Sequence, residues 1–262
     1  METTTRWERL YFAAVGLSAL WIGFWGYFLP SIQRSVPFPV PAMHARFLGA
    51  MYLSAFALLL GGFLKRRWSE IAVVPVMTAI WSGGIFVVSM LHTELFNFAK
   101  PQTWAWFVAY AIYPVIAIRL VRVHRAQFRL ESASGSLPAW VRSYLVVQGI
   151  VLTVLADVLL LKPDIMVENW PWPITVSLAQ LYSAPFLSFG IGSLVLSRMW
   201  TWSQIRVGIT TISVFAAGVL IASWLHRSLF SMAEFADLLW FGYFSLATAL
   251  TTFLSWRALR RE

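Results

Sequence analysis

The sequence predicts an all-α integral membrane protein with eight transmembrane helices, formed by a four-helix unit that occurs twice. Hydrophobic residues make up 59% of the 262-residue chain and charged residues 12%, whereas soluble domains are nearer half apolar and a quarter charged. The apolar residues fall into eight runs of roughly 20 residues, the length that crosses a bilayer as a helix. The duplication is predicted from residues that match between the two halves.

The first apolar run covers residues 10–29. It is too long for a signal-peptide core and lacks a small-x-small cleavage site, so we expect it to be retained as the first span. The other seven predicted spans are residues 44–64, 71–92, 103–121, 143–161, 175–197, 206–226 and 238–256.

Positive charge predicts the orientation of these spans. Fifteen of the 20 lysines and arginines lie in segments on the side of the N-terminus, and the other five are Arg34, Arg46, Lys100, Lys162 and Arg227. Because cytoplasmic segments carry the excess of Lys and Arg, we expect both termini in the cytoplasm. The net charge of +9 has the same explanation, and we expect no nucleic-acid partner.

The predicted duplication rests on rare residues. At an offset of 134, residues 84–96 match residues 218–230 at Gly, Ser, Leu, His, Leu and Phe. Further Pro and Trp residues match at this offset, or at 133 upstream of residue 163, whereas shared membrane composition would match Leu and Val. We predict a first unit at 1–123, a cytoplasmic linker at 124–138 and a second unit at 139–262. Since each unit has four spans, a pseudo-twofold axis should run along the membrane normal.

Two stretches resemble a known pattern. Residues 170–173 read Trp-Pro-Trp-Pro, and residues 45–50 open a span with Ala-Arg followed by Gly-Ala. This resembles bacterial polytopic membrane proteins with Trp-Pro-Trp-Pro outer loops, and it implies a bacterial inner membrane but no activity. The chain departs from the pattern at Phe38 and at Gln180, so neither unit carries it whole. We expect Trp170 and Trp172 to lie at headgroup level, where indole rings favour the interface.

His92 and His226 occupy matching positions at the outer ends of their spans. About a twofold axis the two imidazoles could approach each other, so that a bis-His haem or a shared divalent metal ion is one hypothesis. The alternative is that each histidine caps its helix at the interface. We expect no cofactor, with haem or metal as the alternative.

Three further residues are candidates for a ligand site. Asp157 is the only acidic residue well inside a span, which predicts either proton or cation coupling or a pair with Lys162, Arg34 or Arg46. Arg46 and Gln180 occupy matching positions near the outer starts of their spans. Together with the two histidines, Glu94 and Arg227, they predict an outward-facing polar crevice for a small anionic or zwitterionic ligand.

Cysteine is absent, which excludes disulfides, thiolate metal sites and thiol nucleophiles. The standard catalytic motifs are missing too. We therefore predict a non-enzymatic protein of the lipid bilayer that binds or transports a small molecule between its two units. The alternatives are an accessory or scaffold subunit, with other membrane subunits or a second copy as partner, and a haem- or metal-binding redox protein.

Overall fold

The computed structural model describes residues 3–29, 36–38, 40–126 and 137–260. These residues form helices joined by short connections and contain no β-strand. The helices are α1 (Arg6–Tyr27), α2 (Ala42–Leu64), α3 (Trp68–Ile71), α4 (Val73–Leu91), α5 (Pro101–Val123), α6 (Ala139–Leu161), α7 (Pro163–Asn169), α8 (Val176–Leu196), α9 (Trp202–Leu225) and α10 (Phe235–Leu259).

Eight spans in the described part of the chain are long and apolar enough to cross a membrane, with α3 and α4 together forming the span Trp68–Leu91. The all-α fold and the predicted number of membrane helices are thereby confirmed. Every predicted boundary lies within four residues of the observed one. Most of the predicted linker, residues 127–136, lies outside the described residues.

Local sequence explains where the helices start. Thr5 caps α1: its hydroxyl accepts from the Glu8 N–H, and the Glu8 carboxylate accepts from the Thr5 N–H. Thr201 and Gln204 form the same reciprocal arrangement at α9. Each satisfies backbone donors that the first turn leaves unpaired. Pro101 and Pro163 open α5 and α7, where a missing N–H has no cost.

Four helices form the centre of the bundle and four lie outside them. In α2, the α3–α4 span, α8 and α9, between 56% and 72% of the apolar window is buried, against 28% to 39% in α1, α5, α6 and α10. The inner helices make the contacts between the halves, because α2 packs against α9 and α4 packs against α8. The outer helices cover them: α1 lies on α2, α5 on α4, α6 on α8 and α10 on α9.

Small residues allow the two inner crossings to be close. A Cβ atom added to Gly84 would lie 2.6 Å from the Ala184 Cβ, and one added to Gly218 would lie 3.0 Å from the Ala50 Cβ. Membrane helices that cannot rely on the hydrophobic effect between them gain stability from this kind of close backbone approach.

The end of the bundle that carries the starts of α1 and α6 is called the terminal end, and the opposite end the distal end. At the terminal end, the Thr4 N–H donates to the Arg66 carbonyl at 2.8 Å, and the Leu137 N–H donates to the Trp200 carbonyl at 2.9 Å. His124 also lies there. Its ring stacks on Trp68 with centroids 3.7 Å apart, so it is a packed residue of the helix end.

Candidate functional site

Two hydrogen bonds at the distal end join the halves of the protein. His92 Nε2 lies 2.5 Å from Gln180 Oε1, and His226 Nε2 lies 2.5 Å from Arg46 Nη1. Each histidine ends its span as the C-cap and is followed by a short 3₁₀ turn. Four of the five residues singled out from the sequence are therefore engaged at this end, but as two separate pairs.

His92 is held as a hydrogen-bond donor. The Gln180 amide nitrogen donates to the Leu160 carbonyl at 3.0 Å, which turns the amide oxygen toward His92. Because that oxygen can only accept, His92 Nε2 donates to it. The other ring nitrogen, Nδ1, lies 3.2 Å from the Glu94 carboxylate. Both ring nitrogens thus face oxygen acceptors.

His226 is held as a hydrogen-bond acceptor. A guanidinium group can only donate, so Arg46 donates to Nε2 and the ring proton of His226 lies on Nδ1. Burial lowers the pKa of His226, and the adjacent positive charge of Arg46 lowers it further. This histidine is therefore held in its neutral form, the opposite of the arrangement that surrounds His92.

A cavity of about 360 Å³ opens beside His92. It lies between the start of α2, the end of α4 and the start of α8, so both halves contribute to it. Its volume is within the range of small-molecule sites, about 300–1,000 Å³. The walls are Phe38, Pro41, His44, Val88, Ser89, His92, Leu95, Phe96, Pro173, Ile174, Thr175, Ser177, Leu178 and Leu181.

The cavity is mostly apolar, and no Lys, Arg, Asp or Glu is among its described lining residues. Ser89 supplies one hydrogen-bond donor: its oxygen accepts from Trp106 Nε1 at 2.9 Å, while its own proton has no acceptor among the described residues. The matching serine differs, since Ser223 accepts from Trp240 and also donates to the Val219 carbonyl. Ser89 is 2% exposed, so only an occupant of the cavity can use its proton.

His44 also lines the cavity, although the sequence prediction left it out of the site. Its Nδ1 lies 2.6 Å from the Tyr182 hydroxyl and 3.5 Å from Trp172 Nε1. These two contacts hold the His44 ring in place as part of the wall of the cavity. The only signal in the sequence is that this histidine lies within a predicted span and that the matching residue of the second half, Leu178, is apolar.

Aromatic side chains fill the corresponding space beside His226. The Trp172 ring lies 4.9 Å from Trp240 and 5.2 Å from Phe47, and Trp170 lies 5.3 Å from Trp240. Trp170 and Trp172 are 7% and 2% exposed, so their rings are packed inside the protein and are not in contact with the headgroups. Both rings contact Phe47.

Asp157, the fifth predicted site residue, lies apart from the other four. It is on the exposed face of α6, and no hydrogen bond or ion pair joins it to another described residue. Two of the partners suggested from the sequence, Lys162 and Arg46, do not pair with it in the described structure, and the third, Arg34, lies outside the described residues.

The two histidines do not contact each other through Nε2, because each of those atoms bonds to a residue of the other half. Among the described residues, no group of three or more His, Asp or Glu side chains is arranged to hold a metal ion.

No protein-family description matches this sequence, and no curated protein or solved structure is detectably similar to it.

Proposed function

We propose that this protein is a non-enzymatic membrane protein that binds a small, largely apolar molecule in the distal cavity between its halves. It then transfers this molecule across the membrane. The observation that carries the proposal is the cavity of about 360 Å³, whose walls come from both halves and whose rim carries the His92–Gln180 hydrogen bond between them. A rim bond between two halves is a natural place for a gate, because it must break if the halves separate.

We also infer that the two halves are a tandem duplication related by a pseudo-twofold axis along the membrane normal. Matching residues make matching contacts across the halves: His92 and His226 each bond the other half, and Gly84 and Gly218 each face an alanine of the other half. Parallel repeats of this kind place substrate sites at the interface between units.

The side of the membrane follows from charge. Most Lys and Arg residues lie at the terminal end, which supports a cytoplasmic location for both termini in a bacterial inner membrane. The distal cavity would then open to the outside, where it could collect a molecule from the periplasm or from the outer leaflet.

The polar groups of the cavity define the ligand chemistry. Ser89 offers one donor, and His92 offers a second when its bond to Gln180 opens. The remaining walls are apolar. The best fit is a short amphipathic molecule with one acidic or hydroxyl group. Of the anionic and zwitterionic ligands expected from the sequence, the zwitterion is set aside because Arg46 is engaged by His226, away from the cavity.

Because the chain has no cysteine, single-cysteine variants give a clean test. Ser89→Cys lies on the cavity wall, and Ser223→Cys is its matched control on the filled side. In membrane vesicles, we expect a small methanethiosulfonate reagent to label Ser89→Cys and Ser177→Cys but not Ser223→Cys. Octanoate and octan-1-ol, used as probes, should slow labelling of Ser89→Cys several-fold.

A His92→Gln change in the Ser89→Cys background separates the two probes. We expect protection by octanoate to fall while protection by octan-1-ol remains, because a carboxylate is the stronger acceptor and gains more from the His92 N–H. Equal labelling of Ser89→Cys and Ser223→Cys, or no protection by either probe, would refute the proposed site.

The exposed carboxylate of Asp157 favours a second candidate, a subunit of a larger membrane complex. A charge facing lipid is costly, and such residues normally pair within a bundle. A partner helix with a basic residue would satisfy Asp157 on α6. Affinity purification should then recover a stoichiometric partner that Asp157→Asn loses; a partner-free wild-type protein would remove this candidate.

A further inference from the structure

A second cleft lies in the first half of the protein, near the middle of the helices, whereas the distal cavity lies at their ends. It has a volume of about 50 Å³, is partly open, and is lined by α1, α2, α4 and α5. Tyr52, Ser82 and Tyr110 line it, and each is near the midpoint of its helix. The cleft is therefore at the middle of the membrane-spanning region, where polar groups are costly unless they are satisfied.

Two tyrosines in this cleft share one hydrogen bond, which uses only one of their two hydroxyl protons. The hydroxyls of Tyr52 and Tyr110 lie 2.5 Å apart, so one donates to the other. The second hydroxyl proton has no acceptor among the described residues. Both side chains are more than nine-tenths buried, at 5% and 7% exposed, and water from bulk solvent does not satisfy this donor.

The other hydroxyls of the cleft are already committed as donors. Ser18 donates to the Ala14 carbonyl, so Tyr113 donates to Ser18 across their 3.1 Å contact. Thr78 donates to the Val74 carbonyl and Ser82 to the Thr78 carbonyl. The tyrosine pair is therefore the donor that the cleft presents to an occupant.

The second half of the chain has no such polar lining. The residues at the matching offset are all apolar: Ser18, Tyr52, Thr78, Ser82, Tyr110 and Tyr113 correspond to Val151, Phe186, Ile212, Ala216, Phe244 and Ala247. Phenylalanine rings pack at that position, with Phe215 4.5 Å from Phe189 and 5.9 Å from Phe244. A stable bundle of this design thus does not need the hydroxyls.

We propose that this tyrosine cleft binds the oxygen of an uncharged lipid-phase molecule, such as a ketone, quinone or alcohol, through the spare hydroxyl of the Tyr52–Tyr110 pair. No charged residue is among the described residues that line the cleft, so an ionic headgroup would be unpaired there. Phospholipid ester groups lie near the interfaces, about 15 Å from the centre of a hydrocarbon core of about 30 Å. The depth of the cleft therefore selects a molecule that can carry its oxygen to mid-membrane.

The volume fits the polar end of such a molecule. A single water needs about 10–15 Å³ of this kind of space, and the cleft has about 50 Å³, enough for a carbonyl or hydroxyl group. The opening lets the apolar tail lie against the outer helices in the lipid.

Photo-crosslinking tests the proposal with two probes of equal length, a diazirine-bearing long-chain methyl ketone and the corresponding alkane. In the full-length protein in lipid vesicles, we expect the ketone to label peptides around Tyr52 and Tyr110 at least fivefold more than the alkane does. A diazirine-bearing phosphatidylcholine should label them no more than the alkane. Peptides of the second half should show no ketone preference.

The Tyr52→Phe/Tyr110→Phe double variant should lose the ketone preference. It should fold, because phenylalanine occupies both matching positions, and Tyr243→Phe is the control that removes a hydroxyl elsewhere. Equal labelling of the wild-type protein by ketone and alkane would mean that the cleft holds water alone and would overturn the proposal, even if the double variant were unstable. A ketone preference that survives in the folded double variant would do so as well.

Discussion

At the corner where α4 meets α8, His92 donates to Gln180 beside a cavity of about 360 Å³. At the corner where α9 meets α2, His226 accepts from Arg46, and indole rings occupy the space. The helix that carries each histidine ends in the same way, with a C-cap and a 3₁₀ turn. The corners therefore differ in side chains far more than in backbone.

The difference shows how one bundle design can be either filled or open. Val36 and Phe38 stand at the positions that match Trp170 and Trp172, so the open corner has smaller side chains in its loop. The middle of the membrane repeats the pattern, with hydroxyls and a cleft in the first half and packed phenylalanines in the second. Both open sites involve the first half, which suggests that the second half mainly supports it.

The largest expected effect comes from replacing the two tryptophans that fill the corner beside His226 with smaller side chains. Trp170→Val with Trp172→Phe gives that loop the side chains of the open one. Because large-to-small changes in packed cores cost the lost contacts and leave a cavity, we expect a loss of about 2–4 kcal/mol in the free energy of unfolding. Thermal unfolding in detergent, followed by circular dichroism, measures it.

The same variant should open the second corner to reagents. In its background, Ser223→Cys should become accessible to the thiol reagent that does not reach it in the parent. The reverse exchange, Val36→Trp, should block labelling of Ser89→Cys. If the double variant kept the parent's stability and Ser223→Cys stayed unreactive, side-chain volume would not explain the difference between the corners.

A smaller effect is expected at the crossings that hold the corners together. Gly84→Ala places a Cβ atom 2.6 Å from that of Ala184, whereas Gly218→Ala has its nearest neighbour at 3.0 Å. Overpacking of this kind costs about 1–3 kcal/mol, so Gly84→Ala should lower the unfolding temperature more than Gly218→Ala.

Gly242→Ala is the control for helix propensity, since a Cβ atom there has no neighbour within 4 Å. It should be neutral or slightly stabilising. Equal effects at Gly84 and Gly242 would show that the α4–α8 crossing relaxes freely and does not fix the corner.

The membrane helices could be predicted from sequence because hydropathy is a local property of about 20 residues. The pairings of Arg46 and Gln180 could not, since they depend on how α2 crosses α9 and how α8 crosses α4. Arg46 was grouped with His92 in one crevice because both lie at the distal ends of their spans. The same end, however, has two corners, and only the packing assigns each residue to one of them.

Burial was the other quantity that sequence reasoning missed. A tryptophan beside proline at the end of a span is typically interfacial, and the aromatic cluster around Phe47 that draws Trp170 and Trp172 inward is assembled from distant helices. The tyrosine cleft, in contrast, is partly visible in the sequence. Comparison of the two halves residue by residue shows its hydroxyls replaced by apolar side chains, but only the structure shows that Tyr52 and Tyr110 meet.

The smallest expected effect concerns proton linkage at the filled corner. The pKa of His226 is lowered by burial and by Arg46, so the unfolded chain takes up a proton before the folded protein does. The stability held by neutral His226 is complete above the ordinary histidine pKa of about 6.5 and is lost as the pH falls from there toward the lowered pKa. Arg46→Gln, which copies Gln180 of the open corner, removes one of the two causes, so its unfolding temperature should fall less steeply between pH 7.5 and 5.5.

Other ionisable groups also shape the pH profile, so the informative quantity is the difference between the pH profiles of the wild type and Arg46→Gln. His226→Gln supplies the control: in its background, Arg46→Gln should leave the slope unchanged. A difference that persists without His226 would assign the linkage to another group. A difference that vanishes would assign the linkage to the Arg46 guanidinium acting on His226.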